Sequence, residues 1–276
     1  MHRVPEVAAS ESRSQNAGVC NLETPSCAVL VVSCDRYRDL WTPFFALFWR
    51  YWPDCPFPVY LGSNFATHAD KRVKPLSAGE DQSWSKNLRF FLENIDAQYV
   101  LLLLEDFFLN RQPPTSSLLQ NLAALHKLNG TVLRLYPHPK PNKRLRGHPS
   151  IGSIHPSAPY RVSTQPAIWN RAGLLALLQE GESPWQFEQQ GTIRSQRKLD
   201  GFYSTYAPIV SYHHVVERGE WFRSAVKRYQ NQAIGCDFRS RPVMGRFTAA
   251  KKRLNDGRRW MLDRIRDFRL SLRKSP

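Results

Sequence analysis

Apolar positions in this chain come in short blocks at two periods, and the switching between them predicts a layered arrangement of strands and helices. Residues 28–33 read Ala-Val-Leu-Val-Val-Ser, an uninterrupted apolar run of strand length. Such runs suit strands covered on both faces. In residues 38–52, Trp41, Phe44, Phe45, Phe48, Trp49 and Trp52 recur at three- and four-residue spacings, the period of a helix with one buried side. Pro43 falls early in that helix, where proline is tolerated. Residues 53–58 predict a turn, and residues 58–61 a second strand ended by Gly62-Ser63-Asn64. The helical period returns over 84–95, with Trp84, Leu88, Phe91, Leu92 and Ile95 on one face. Residues 99–109 then read Tyr-Val-Leu-Leu-Leu-Leu-Glu-Asp-Phe-Phe-Leu, a buried strand that runs into an acidic pair.

The second half is less regular. An amphipathic helix is predicted over 115–128 and a strand over 131–135. Residues 136–160 form a long proline-rich stretch that reads as an irregular loop. Loops of that length are often functional. Further helices are predicted over 172–180 and 221–232, and a strand over 206–216 that contains His213-His214. From about Gly245 onward, Leu254, Met261, Ile265, Phe268 and Leu272 share one helical face among many arginines. Residues 1–25 are polar, without period, and expected to be disordered. The expected organisation is a disordered segment 1–25, one domain over 26–235 and a basic amphipathic tail over 236–276. Strand–helix alternation in the first half predicts a mixed α/β sheet with helices on both faces.

Charge changes the picture. The 276 residues carry a formal net charge of +16, unevenly spread. Residues 1–106 hold 10 Lys and Arg against 13 Asp and Glu, whereas 107–276 hold 29 against 10. A basic half favours phosphate-bearing ligands, nucleic acid or anionic lipid. The five cysteines include no CxxC pair, so neither a disulfide framework nor a zinc site is indicated, which fits a reducing, cytoplasmic setting. No secretory signal and no membrane-spanning run is visible.

Four constellations could carry chemistry. Carboxylates are costly to bury unless paired or bound to a metal. Glu105 and Asp106 are therefore expected where their strand leaves the sheet, the edge at which α/β sheets bind ligands. There they could hold a hard divalent cation and, through it, a diphosphate; the plainer alternative is a helix cap beside a solvated acid. The loop Ser33-Cys34-Asp35-Arg36-Tyr37 could meet a nucleoside, with Asp35 on a ribose, or Asp35 could simply cap. Glu188 follows Ser183-Pro184-Trp185-Gln186-Phe187, among aromatics that could tune it as a general base. One imidazole of His213-His214 could complete a metal shell. GxGxxG, P-loop and GxSxG signatures are all absent.

Four segments, taken together and in order, resemble a family of bacterial glycosyltransferases from surface-polysaccharide gene clusters. They are Val-Val-Ser-Cys-Asp-Arg-Tyr-Arg-Asp-Leu-Trp (31–41), Tyr-Trp-Pro-Asp-Cys-Pro-Phe-Pro-Val-Tyr-Leu (51–61), the unit 84–109, and Val-Ser-Thr-Gln-Pro-Ala-Ile-Trp-Asn (162–170) continuing to Glu188. The resemblance implies a GT-A-like α/β fold that transfers a sugar from a nucleotide-diphosphate donor to a saccharide or lipid-linked acceptor. It implies Mn²⁺ or Mg²⁺ on Asp106 and Glu105 with His213 as a further ligand. Ser33, Asp35, Lys86 and Glu105 would face the donor, and Gln165, Trp169 and Trp185 the acceptor. Glu188 and Asp106 would be the catalytic pair. The usual Asp-X-Asp is not met, because Phe107 stands two residues after Glu105. The basic tail would meet an anionic membrane surface, giving a cytoplasmic protein peripheral to the cell membrane, with no specific nucleic acid. The rival expectation is a non-enzymatic basic protein that binds nucleic acid or anionic membrane.

Overall fold

The computed structural model describes residues 25–245. The expectations for 1–25, apart from Pro25 itself, and for the apolar face beyond Gly245 lie outside the described residues. The chain opens with β1 (Cys27–Val32), a 3-10 turn (Asp35–Leu40) and α1 (Trp41–Tyr51). β2 (Val59–Ser63), β3 (Val73–Ser77), α2 (Trp84–Glu93) and β4 (Tyr99–Leu104) follow. Next come β5 (Phe107–Leu109), α3 (Thr115–Lys127), β6 (Val132–Arg134), β7 (Lys143–Leu145) and β8 (His148–Ser153). The last elements are β9 (Ala167–Asn170), α4 (Arg171–Leu177), α5 (Pro184–Ser195), β10 (Phe202–Thr205), β11 (Tyr212–His214), β12 (Val216–Glu217), β13 (Glu220–Trp221) and α6 (Arg223–Tyr229).

Nine strands form one mixed sheet in the order β3-β2-β1-β4-β9-β6-β10-β8-β7. β3, β2, β1 and β4 are mutually parallel, and β9 runs antiparallel between β4 and β6. Strand parity sorts the core into two layers. Val29, Val31, Leu101 and Leu103 face α1, α3 and α6, whereas Ala28, Leu30, Val100 and Leu102 face α2, α4 and α5. Each of the valine and leucine side chains contributes about 1.5–3 kcal/mol on burial. The mixed α/β sheet with helices on both faces, expected from the alternation, is the observed fold class.

Several elements differ from expectation, each for a physical reason. β3 carries Pro75 and only two buried residues, so its pattern is faint; as the edge strand it can spare the missing amide. The stretch 136–160 is not wholly irregular. It holds the hairpin β7–β8, turned at Gly147 with φ +79°, and this hairpin extends the sheet at its far edge. Strands β9 and β10 are four residues each, too short to show a period, yet both lie inside the sheet. Residues 236–245, expected as the start of a separate tail, pack back on the domain. Arg241 pairs with Asp39 (Nη2–Oδ1 2.6 Å), and Met244 N–H donates to Trp221 O (2.9 Å).

Close packing of α2 on the sheet depends on Gly62 of β2, where a Cβ would run into the Phe91 ring. Gly62→Ala is expected to destabilise the fold by about 1–3 kcal/mol, the range for overpacking a dense core. Denaturant midpoints check this, and Phe91→Leu in the same background should recover part of the loss.

Candidate active site

The parallel strands β1 and β4 end side by side, with Val32 opposite Leu104 in register. The residues that follow them, Ser33 and Glu105-Asp106, therefore emerge together at the carboxyl edge of the sheet. Because β9 runs the other way, the chain entering it brings Thr164 and Gln165 to the same edge. β4 gives way to β5, which pairs with β11 in a second small sheet, and Asp106 O accepts from Val215 N–H at 3.0 Å. The acidic pair is thus the corner where the chain passes from one sheet to the other. A cavity of about 350 Å³ opens there, lined among others by Ser33, Tyr37, Asp81, Trp84, Glu105, Asp106, Gln165, Trp185, Glu188, His214 and Arg218.

Glu105 is 8% exposed. Burial, then the neighbouring charge of Asp106, holds its carboxyl well above the ordinary carboxylate range. Asp106 is arranged differently. His214 Nε2 lies 3.0 Å from its Oδ2, while Oδ1 is buried without a hydrogen-bond partner. Asp106 Oδ1 is thus the one oxygen of this pair that a hard cation such as Mn²⁺ or Mg²⁺ could take. Among the described residues no group of three or more His, Cys, Asp or Glu side chains forms a ready cage. A cation here would complete its shell with ligand oxygens and water, as Mg²⁺ commonly does.

Glu188 sits one turn into α5, whose start is fixed by Pro184 at its first positions and by a reciprocal Ser183–Gln186 cap. Its Oε1 accepts from Ser163 Oγ (2.9 Å), Thr164 N–H (2.8 Å) and Thr164 Oγ1 (2.9 Å). Three donors on one oxygen hold the carboxylate in a single orientation. Behind it lies Arg134, fully buried at the end of β6; burial pushes its guanidinium down to about 10, and the charges of Glu188 and Tyr212 oppose that shift. Cys34 also faces the cavity, but burial, then Glu105, pushes its thiol up to about 11, so it stays protonated at neutral pH.

The structure brings Ser33, Glu105, Asp106, Gln165, Trp185 and Glu188 to one cavity wall. Four other expected residues are not there. Asp35 points into the loop after β2 and accepts from the N–H groups of Asn64, Phe65 and Ala66, so its carboxylate serves that turn and not a ribose. Lys86 is exposed on α2 and does not line the cavity; its neighbour Asn87 does, bonded to Asp81 (2.9 Å). Trp169 is 1% exposed in the core under α2 and α4, because its parity on β9 turns it inward, and it cannot meet an acceptor. His213 is corrected in favour of His214. Successive residues of β11 face opposite sides, and His213 packs on Tyr229, 5.9 Å between ring centroids, away from Asp106. In the sequence Tyr37 and His214 stand out only as members of the 33–37 loop and of the His pair, and Trp84 only as part of a helix stripe; Arg218 has no signal beyond lying near the His pair.

No family model matches the chain, and no curated protein does. Solved structures do resemble it in shape. S. aureus TarS 1-349 in complex with UDP-GlcNAc is 12% identical at a TM-score of 0.47, over 70% of this chain and 59% of that one. The mannosyltransferase PcManGT from Pyrobaculum calidifontis, in complex with GDP-Man and Mn²⁺, is 14% identical at a TM-score of 0.45, over 78% of this chain and 64% of that one. The chain thus spans about three-fifths of the length of the TarS fragment.

The Glu105 carboxyl yields a stability prediction. Its folded pKa lies above its unfolded one, so between the two the folded state binds more protons. Stability then falls as pH rises through that window. Without added metal, Glu105→Gln should flatten this decline and raise the melting temperature at neutral pH. A gain of about 1 kcal/mol corresponds to roughly 2–4 °C for a chain of this size. Thermal melts from pH 4 to 8 check it; equal slopes for the two proteins would contradict a Glu105 carboxyl held above the ordinary range by burial.

Proposed function

We propose that this protein is a nucleotide-sugar glycosyltransferase with a GT-A-like fold, acting on a saccharide or lipid-linked saccharide acceptor. The observation that carries the reading is the acidic corner Glu105-Asp106 beside the end of β1, in a cavity that also holds an oriented carboxylate, Glu188. Phosphoryl-bearing ligands of α/β sheets bind beyond the carboxyl ends of strands. The resemblance of residues 31–41, 51–61, 84–109 and 162–188 to surface-polysaccharide glycosyltransferases agrees with it.

In this reading the nucleotide lies over the end of β1, against Ser33 and Tyr37. A divalent cation held by Asp106, with Glu105 beside it, would offset the negative charge that gathers on the departing diphosphate. His214 orients Asp106 from behind. An acceptor hydroxyl oxygen attacks the anomeric carbon as the bond from that carbon to the diphosphate oxygen breaks. Glu188 takes the hydroxyl proton, which gives an inverted product. Gln165 and Trp185 position the acceptor. Among the described residues no helix is long and apolar enough to cross a membrane.

A thermal-shift screen of UDP- and GDP-sugars, with and without Mn²⁺, tests the reading directly, since a ligand bound only by the folded state raises stability. Raised melting temperatures that need both sugar nucleotide and Mn²⁺ are expected; no shift with any donor would refute it. With the donor so identified, Asp106→Asn should reduce transfer by at least about 10²-fold and abolish the Mn²⁺-dependent shift, since a hard ion loses an anionic ligand. Wild-type transfer by the folded variant would remove the assignment.

Glu188→Gln keeps the shape and the capacity to accept from Ser163 and Thr164. It should lower kcat by about 10²–10⁴-fold, the usual cost of losing a general base, and leave donor KM nearly unchanged. Steady-state kinetics decides. A collapse of donor affinity with turnover preserved would make Glu188 a binding residue, and a retained anomeric configuration would exclude the base role.

A further inference from the structure

The hairpin β12–β13 bears a conformational cost at its tip. Its two-residue loop is Arg218-Gly219, with φ of +51° and +82°, so both residues lie in the left-handed region of a tight hairpin turn. Glycine and asparagine take that conformation readily, whereas an arginine is sterically disfavoured there, its Cβ crowding the following carbonyl oxygen. The hairpin is pinned from behind. Trp221 is fully buried, its N–H donates to Pro242 O (2.8 Å), and its carbonyl accepts from Met244 N–H (2.9 Å). A rigid turn that holds a non-glycine in a costly conformation at a cavity rim points to a use for that side chain.

Beside Arg218 lies Trp185, 51% exposed on the first turn of α5, which is held by its reciprocal cap. The Arg218 guanidinium carbon is 5.9 Å from the centre of the Trp185 ring. Both line the cavity, and among the described residues Arg218 is the only arginine or lysine that does. No ion pair within the described residues occupies its guanidinium. An exposed indole face suits the C–H face of a sugar ring, which is apolar. A guanidinium fork at its edge matches a carboxylate or a phosphate with two parallel hydrogen bonds.

We propose that Trp185 and Arg218 form a subsite for a saccharide that carries an anionic group, a carboxylate or a phosphate. Only the description of that saccharide as the acceptor rests on the glycosyltransferase reading; the binding itself does not. Arg218 supplies discrimination between charged and neutral saccharides, and Trp185 supplies affinity for both.

The test is direct binding of three probes to the full chain by calorimetry. These are a neutral disaccharide, the same disaccharide with its terminal hydroxymethyl group oxidised to a carboxylate, and the same disaccharide phosphorylated on that carbon. The wild type should bind at least one charged probe about tenfold more tightly than the neutral one, a charge-assisted pair being worth somewhat more than 1.4 kcal/mol, and the charged probe it prefers identifies the group. Arg218→Asn should erase that preference while raising the melting temperature, because asparagine suits the turn; a loss through misfolding would lower it. Trp185→Ala should weaken all three probes alike. UDP and GDP with Mn²⁺, titrated into the same proteins, separate the two ideas. Nucleotide affinity unchanged in Arg218→Asn supports the subsite. If nucleotides fail to bind the wild type while the charged-probe preference holds, the glycosyltransferase reading fails and the subsite stands. Equal affinity of the wild type for the three probes, no binding of any of them, or loss of nucleotide affinity in Arg218→Asn would overturn the proposal.

Discussion

Two carboxyl groups stand where the most apolar strand of the sheet ends, and the architecture around them follows from the cost of burying them. Leu101–Leu104 could not continue into Glu105-Asp106 inside the sheet without stranding charge in the core. The chain turns there instead, and β5 leaves to pair with β11. That pairing sets His214 opposite Phe107, next to Asp106. Glu105 remains buried and is held toward its neutral form, and Asp106 keeps one oxygen without a protein partner.

The remainder of the cavity is built on rigid supports. Ser33 follows β1 directly and its hydroxyl accepts from Trp41 Nε1 at 2.8 Å, which ties the strand end to the start of α1. Glu188 is clamped by Ser163 and Thr164 at the entry to β9, and Gln165 accepts from the Tyr212 hydroxyl. On the far side, the segment after α6 returns to brace the wall. Arg241 bonds Asp39 through two nitrogens (2.6 and 2.8 Å), and its guanidinium lies 4.2 Å from the centre of the Tyr37 ring. Residues from distant parts of the chain thus meet with their orientations already set, the condition under which a polar site discriminates between ligands.

Long, strongly periodic segments were legible in the sequence because burial on one or both faces writes itself into side-chain spacing. β1, α1, α2, β4 and α3 were predicted within a few residues, and so was the layered class. The acidic corner was legible too, since a charged pair after six apolar residues has few places to go. Strands of three or four residues such as β9 and β10 leave no period to read, and Pro75 disguised β3. The basic stretch 136–160 concealed a hairpin, because β8 buries only Ile151 and Gly152 and carries Pro149, which leaves no alternation to tell it from a loop.

Residue identity alone therefore determined β1, β4 and the helices that cover them, and it set the acidic pair at the end of β4. Which side chains join that place was decided by tertiary structure. The choice of His214 over His213 depends on strand parity relative to a partner 108 residues away in sequence. Trp169 went to the core and Asp35 to a neighbouring turn for the same kind of reason, because register and loop pairing are set by long-range contacts. Arg218 became part of the cavity only because a pinned hairpin carries it there. Local sequence encodes the tendency to bury or expose a side chain, but direction in space is fixed by the elements packed against it.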